Sequence, residues 1–315
     1  MVKPKTTLLA LVGPTASGKG EIARRIAPRM GAEIISVDSM KIFRGMDTCT
    51  AKPPRAAREE IPHHLIDIVD PWESFSVADW IPLCEKAIRS ILEKGRLPLL
   101  VVGTPLYLRS LMEGLFEGPS ARWDLRDKWK EEARKEGPEA LHRRLEEIDP
   151  VTARRTHPND LRRVIRALEV HAETGQPLSR LQEMGRQESP YDVRMTGILW
   201  EREALHDRIE RRVLSMFERG LVEEVTRLRQ SKDPMARPAR QAVGIKEVGR
   251  QLDGEITQAE AITQMQQQTR KLARHQMTWF RKFPEIRWLA ASQENFPHPL
   301  AGDAQVALTP EGKGS

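Results

Sequence analysis

The sequence predicts an α/β protein: a parallel sheet flanked by helices, with an inserted all-helical subdomain. Three observations carry this. Short apolar runs alternate with helix-patterned text, a glycine-rich loop joins the first run to the first helix, and one long segment is charge-dense without any strand-like run.

Taken in order, "MVKPKTTLLALVG" imitates a secretory leader, but its apolar run is only about six residues long before Gly-Pro and reads better as a strand from Thr6 to Val12. The loop "GPTASGKG" follows, and helical spacing then runs from Gly20 to Met30. "AEIISVD" is a second buried strand ending at Asp38, and "LPLLVV" a third that runs into Gly103 and Thr104. From 118 to 187 the text is charged and helical, with breaks near "EGP", "IDP" and "HPND". "VRMTGILW" and "IRWL" are later strands, while Leu205 to Arg229 and Thr257 to Phe283 read as long helices. The end of the chain is rich in Pro, Gly and polar residues and is expected to be a flexible tail. The expected division is a core of 1–117 with 188–292, an inserted helical subdomain of 118–187, and a tail of 293–315.

Composition narrows the function classes. Of 315 residues 30% are charged, and the net charge of +6 suits a polyanionic partner. The two cysteines, Cys49 and Cys84, have no metal-site spacing and make no disulfide framework, which fits a reducing cytoplasm. His63, His64, His142, His157 and His275 form no metal constellation in the sequence. Nothing approaches the roughly 18 apolar residues of a membrane span, so a soluble protein is expected.

Gly13, Pro14, Thr15, Ala16, Ser17, Gly18, Lys19 and Gly20 make a phosphate cradle. Loop amides and the positive end of the following helix attract an anion, and Lys19 adds a mobile charge. The core is therefore of P-loop type. Position 20, where a serine or threonine ordinarily anchors Mg²⁺, is glycine, which lowers the odds of kinase or ATPase chemistry. Thr15 and Ser17 offer hydroxyls whose usual fate is capping or phosphate contact. Asp38 closes the second strand at the carboxyl edge, where open α/β sheets bind ligands, and is the natural place for a base or for a turn cap.

With "GPTASGK" and "VVGTPLY", the stretches "VDSMKIFRGMDTCTAKP", "PHHLIDIVDPWESFSVADW", "HPNDLRRVIRALEVHAETGQPLS", "REALHDRIERRV", "ARQAVGIKE" and "TRKLARHQMTWFR" occur in one order over roughly residues 7 to 290. In this the chain resembles the tRNA dimethylallyltransferase family. The resemblance implies transfer of a dimethylallyl group from dimethylallyl diphosphate to N6 of adenosine 37, next to the tRNA anticodon, with release of diphosphate. It implies Asp38 as the base, Thr104 near the leaving oxygen, and Arg202 and Arg208 around the diphosphate held by Gly13 to Gly20. It places Asp38, Ser39, Met40, Lys41, Thr104, Arg126, Leu161, Arg162, Arg163, Arg166, Arg240, Gln241, Gly244, Arg274, Gln276 and Arg281 against tRNA. Mg²⁺ is the cofactor it implies, with no ligand set assigned, and a monomer the form. Adenosine 37 is expected to flip into a channel. Of the aromatic pair on the basic helix, Trp279 and Phe280, core packing is the leading expectation over base stacking.

The chain departs from the family pattern at Gly20, at Lys41 where Gln is common, at Phe43, Cys49, Ile245 and His275, and in "VVGTPLY". An ammonium at position 41 cannot copy an amide's donor and acceptor pair. These departures frame a second reading, a paralogue that binds tRNA without transfer. A small-molecule kinase is a third, opposed by the long basic helix near the end of the chain.

Overall fold

The β-branched and apolar run TTLLALV forms β1 (Thr6–Val12), with its last five side chains buried. The computed structural model describes residues 5–114, 118, 119, 121–185 and 189–309. The remaining strands are β2 (Ala32–Val37), β3 (His63–His64), β4 (Leu97–Val102), β5 (Tyr191–Trp200) and β6 (Arg287–Ala291). They pair in parallel in the order β3-β2-β4-β1-β5-β6. Parallel neighbours need crossovers, and the helices supply them. β3 is a two-residue edge pairing, with Ile34 opposite His63 and Ile35 opposite His64, too short to leave a periodic signal in the sequence.

The helices are α1 (Lys19–Ile26), α2 (Arg55–Glu60), α3 (Val77–Glu93), α4 (Pro105–Glu113), α5 (Trp123–Glu136), α6 (Pro138–Ile148), α7 (Pro150–Arg154), α8 (Leu161–Thr174), α9 (Leu178–Met184), α10 (Arg202–Glu218), α11 (Leu221–Arg229), α12 (Ile245–Leu252), α13 (Gln258–Phe280) and α14 (His298–Leu308). No helix among the described residues is long and apolar enough to cross a membrane. The single long helix expected from Leu205 to Arg229 is instead two. Gly220, at φ +84°, takes the left-handed conformation that ends α10 and starts α11. α13 starts at a capping box in which the Thr257 side chain accepts from the Glu260 amide and Glu260 accepts from the Thr257 amide.

The expected flexible tail is also corrected. Within 293–309 the chain forms α14, whose Leu300, Ala301, Ala304 and Leu308 are buried in one cluster with Ile22, Ala23 and Ile26 of α1. The small apolar stripe was masked by the surrounding Pro and Gly. Residues 310–315 lie outside the described residues.

The chain divides into two compact units, Met1–Met112 with Pro190–Ser315, and Glu113–Ser189. Residues 117, 187 and 188, at the expected borders, lie outside the described residues. The second unit holds α5 to α9 around its own core of Leu141, Leu145, Val164, Leu168 and Val170.

What positions the site is register. Val12 of β1 pairs with Val102 of β4, and Val102 pairs with Val37 of β2. The residues that follow each, Gly13, Gly103 and Asp38, therefore leave the sheet together at one carboxyl edge.

Candidate active site

The phosphate loop is bent by residues with positive φ: Gly13 at +154°, Ala16 at +62° and Gly18 at +85°. Alternating handedness of this kind turns successive amides toward one concavity. The amides of Lys19 and Gly20 belong to the first turn of α1, which has no intrahelical acceptor for them. Gly18 cannot carry a side chain. Besides its φ, a Cβ there would fall 2.3 Å from a ring carbon of Phe296. Ser17 is fully buried and its hydroxyl has no partner, so it faces the interior and not the mouth of the loop.

Asp38 lies across from this loop. Its Oδ1 accepts from the amides of Met40 (2.9 Å) and Lys41 (3.3 Å), which fixes the carboxylate as a turn cap. Oδ2 is left for other work, and it stands 2.7 Å from where a Cβ on Gly103 would be. Glycine at 103 is thus required by the approach of the carboxylate. Thr104 sits beside it: its Oγ1 accepts from the Ser39 amide (3.0 Å) and donates to the Ser39 hydroxyl (3.3 Å). Backbone bonds from Gly103 and Thr104 to the Val37 carbonyl close the same junction.

Around Asp38 the charge is strongly positive. Burial, and then neighbouring Lys41, lower the Lys19 ammonium to about 7, against the pull of Asp38. Lys41 is lowered as well, by burial first, again opposed by Asp38. Arg212, pushed down to about 10 chiefly by burial, completes the group. The sequence reading missed Arg212, although it follows Arg208 by four residues on one helix, the spacing that puts two side chains on the same face.

Arg208 touches the loop from the other direction. Its Nε donates to the Ala16 carbonyl (2.9 Å), and its guanidinium lies 4.3 Å from the ring centres of both Trp200 and Phe296. Gln276 joins two loops: its Oε1 accepts from the Thr15 amide (2.7 Å) and its Nε2 donates to the Gly103 carbonyl (2.6 Å). Its buried amide thus ties two loops of the scaffold together, with one N–H left over. Arg202 is exposed at the start of α10, and the structure does not bring it to the loop by any contact.

A family model described as IPP transferase matches residues 41–283. The chain is 44% identical over 309 residues to a tRNA dimethylallyltransferase of Pelotomaculum thermopropionicum, covering 98% of each. The chain belongs to the IPP transferase family. A relative in Moorella thermoacetica, of the same printed name, is 47% identical over 90% of each chain. Among solved structures, the full-length tRNA isopentenylpyrophosphate transferase of Bacillus halodurans matches with a TM-score of 0.67 at 39% identity, covering 96% of this chain and 97% of that one. A eukaryotic dimethylallyltransferase acting on tRNA matches with a TM-score of 0.76 at 26% identity, covering 94% and 77%.

The magnesium that the resemblance implies is poorly matched by the side chains here. Gly20 has no hydroxyl, and a Cβ added there would meet only Arg24 Nη1 at 3.8 Å. Among the described residues no three His, Cys, Asp or Glu side chains are grouped as a metal cluster. Lys19, Lys41 and Arg212 surround the Asp38 carboxylate. This donor set does not fit a magnesium ion anchored by the protein.

The remaining residues expected from the family to face tRNA fall into two sorts. Arg162, Arg240, Gln241, Arg274 and Arg281 are exposed, and exposed Arg163 pairs loosely with Asp160. Others are already engaged. Arg126 donates from Nε and Nη2 to the two oxygens of fully buried Glu169 (2.8 and 2.7 Å), and Arg166 bonds the same carboxylate and the Pro119 carbonyl. Gly244 is buried, at φ +105°, and its amide donates to Glu247 Oε2 (2.9 Å) at the entry to α12. The half-buried Leu161 packs against the second unit's core. Of the aromatic pair, Phe280 is fully buried, whereas Trp279 is half-buried, donating to His275 Nε2 (3.2 Å) with Lys282 over its ring.

Proposed function

We propose that the protein transfers a dimethylallyl group from dimethylallyl diphosphate to N6 of adenosine 37, beside the tRNA anticodon. One observation carries this: an anion cradle and a carboxylate with one free oxygen leave the sheet at the same edge, with Lys19 between them. The family and the printed names of the relatives support the same reading.

In the step, N6 attacks the allylic carbon and forms the new C–N bond. The C–O bond to diphosphate breaks, and the leaving oxygen keeps the electron pair. The proton lost from N6 passes to Asp38 Oδ2. A carboxylate is needed because an exocyclic amine is a poor nucleophile until its proton can leave. Charge that grows on diphosphate is met by loop amides, Lys19 and Arg212, fixed in advance and half-buried, so that they act more strongly on the transition state than on the substrate. Thr104 orients the turn that carries Asp38, and its hydroxyl proton would swing from Ser39 Oγ to the leaving oxygen. Magnesium enters this proposal as a counter-ion that diphosphate brings from solution, and no step is assigned to it. The exposed arginines supply the phosphate contacts that hold tRNA.

The test mixes protein, an unmodified anticodon stem-loop with adenosine 37, dimethylallyl diphosphate and Mg²⁺, and weighs the RNA by mass spectrometry. A dimethylallyl mass gain in wild type that falls about a thousandfold in rate in Asp38→Asn is the expected result. Stem-loop binding with no mass gain would replace this reading with that of a non-catalytic paralogue.

A further inference from the structure

The phosphate loop has a rear face as well as a mouth, and the rear is held by side chains. Trp200 Nε1 donates to the Ser17 carbonyl (2.9 Å) and Arg208 Nε to the Ala16 carbonyl (2.9 Å). A trans peptide points its carbonyl and its amide in opposite directions. Pinning Ser17 O outward therefore aims the next amide, that of Gly18, into the concavity where an anion would sit. Trp200 and Arg208 do not stand alone. The Phe296 ring lies 5.5 Å from the Trp200 ring, and the Arg208 guanidinium is 4.3 Å from both ring centres. The Phe296 edge also rests on Gly18, where it occupies the space that any side chain would need.

Phe296 belongs to the end of the chain, beyond the 41–283 matched by the family model. It is held in place by α14, whose buried Leu300, Ala301 and Ala304 pack on α1, the helix that begins at Lys19. The segment is thus tied to the loop at two points: ring on Gly18, and helix on helix.

We propose that the carboxy-terminal segment is a working part of the diphosphate site, with Phe296 as a positioning residue that fixes Arg208 and Trp200 against the rear of the phosphate loop. The proposal rests on the reading of that loop as the diphosphate cradle. Phe296 touches no reacting atom. It keeps the guanidinium plane against two π faces, so that the donor on each outward carbonyl stays aligned.

The experiment measures binding of inorganic diphosphate by titration calorimetry and, separately, the KM values for dimethylallyl diphosphate and for stem-loop RNA. Phe296→Ala is expected to weaken diphosphate by about tenfold, equal to ~1.4 kcal/mol, and to raise the donor KM alike while leaving the RNA KM unchanged. Phe296→Leu keeps apolar bulk but has no π face and is expected to lose most of the same affinity, whereas Phe296→Tyr restores it to within about twofold. Leu300→Ala serves as a second variant in case Phe296→Ala does not fold, since it loosens α14 without touching the ring, and it too should shift donor and not RNA. Unchanged diphosphate affinity in folded Phe296→Ala, or equal shifts in both KM values, would overturn the proposal. Because diphosphate binding is read without transfer, a wild type that binds it but makes no product would fail the functional reading and leave this one standing. A wild type that does not bind diphosphate would sink both.

Discussion

Two clusters that set cations about one carboxylate invite comparison. In the helical unit, Glu169 receives Arg126, Arg166 and the Arg122 amide, and these hydrogen bonds outweigh the effect of burial to hold its carboxyl below its ordinary value. In the α/β unit, Asp38 faces Lys19, Lys41 and Arg212, each lowered by burial first and by neighbouring cations next. The first cluster is closed: both guanidiniums bond directly to its one carboxylate. The second sets three cations about one carboxylate in a half-buried place, with that carboxylate bonded only to backbone amides, an arrangement that costs free energy until a further anion arrives. Cations about a carboxylate thus mean architecture in one unit and readiness for a ligand in the other.

The largest expected effect comes from breaking the closed cluster. Glu169→Ala leaves two half-buried guanidiniums without their partner and should cost about 3–5 kcal/mol in urea unfolding of the chain. Acid acts on the same group. Because the folded carboxyl titrates below the unfolded one, its contribution is full above the ordinary value of 4.5 and drains away as pH falls through the lowered one.

Next is Gly103→Ala, whose Cβ would press on Asp38 Oδ2. Misplacement of the base predicts roughly a hundredfold loss in kcat with stem-loop affinity kept, read by single-turnover transfer and filter binding.

A smaller effect tests whether the second cluster waits for an anion. With Lys19 near 7, the amine is mostly neutral at pH 8 in free protein, and diphosphate draws it back to ammonium. Binding should then take up most of a proton at pH 8, seen as a buffer-dependent calorimetric enthalpy, and affinity should fall by up to about tenfold for each pH unit above 7. Lys19→Met removes the uptake. Equal enthalpies in all buffers would show the lysine charged from the outset.

The smallest concerns position 20. Nothing but Arg24 Nη1 lies within 4 Å of an added Cβ, so Gly20→Thr should fold unchanged and lower the magnesium needed for half-maximal transfer a few-fold. An identical magnesium dependence would show that the hydroxyl has no metal to hold.

Much of the architecture was legible because long buried strands and loop glycines write themselves plainly. The strands β1, β2, β4, β5 and β6, the phosphate loop and the strand-end aspartate were each placed from local pattern. What escaped depends on tertiary meetings. Gln276 is named by the resemblance as a tRNA contact, but its bonds to Thr15 and Gly103, 261 and 173 residues away, leave no mark in the local sequence. Phe296 lies in text whose prolines suggest a loose tail, and only the stripe of Leu300, Ala304 and Leu308 betrays the helix. Likewise Glu224, buried on α11, accepts from the amides of Asp47, Thr48 and Cys49, shaping the loop beyond Asp38 without any signature in either segment. Arg126 and Arg166, placed against tRNA by the resemblance, also bond buried Glu169, a partner that no local pattern announces.

The alignment of Val12, Val37 and Val102 across three strands has one more meaning. It separates where a group is presented from which group it is. Each loop begins from a fixed origin, so residues beyond it can change where no close approach forbids it, as one does at Gly18 and Gly103. Gly20, Lys41 and Pro105 are substitutions of this sort, one beyond each of three strands, whereas Val102, the other departure in "VVGTPLY", ends β4 itself. For anyone wishing to give this protein a longer or bulkier allylic donor, the sheet edge is a set of sockets: side chains other than those of Gly18, Asp38 and Gly103 can be exchanged there one at a time, while the strands themselves are best left alone.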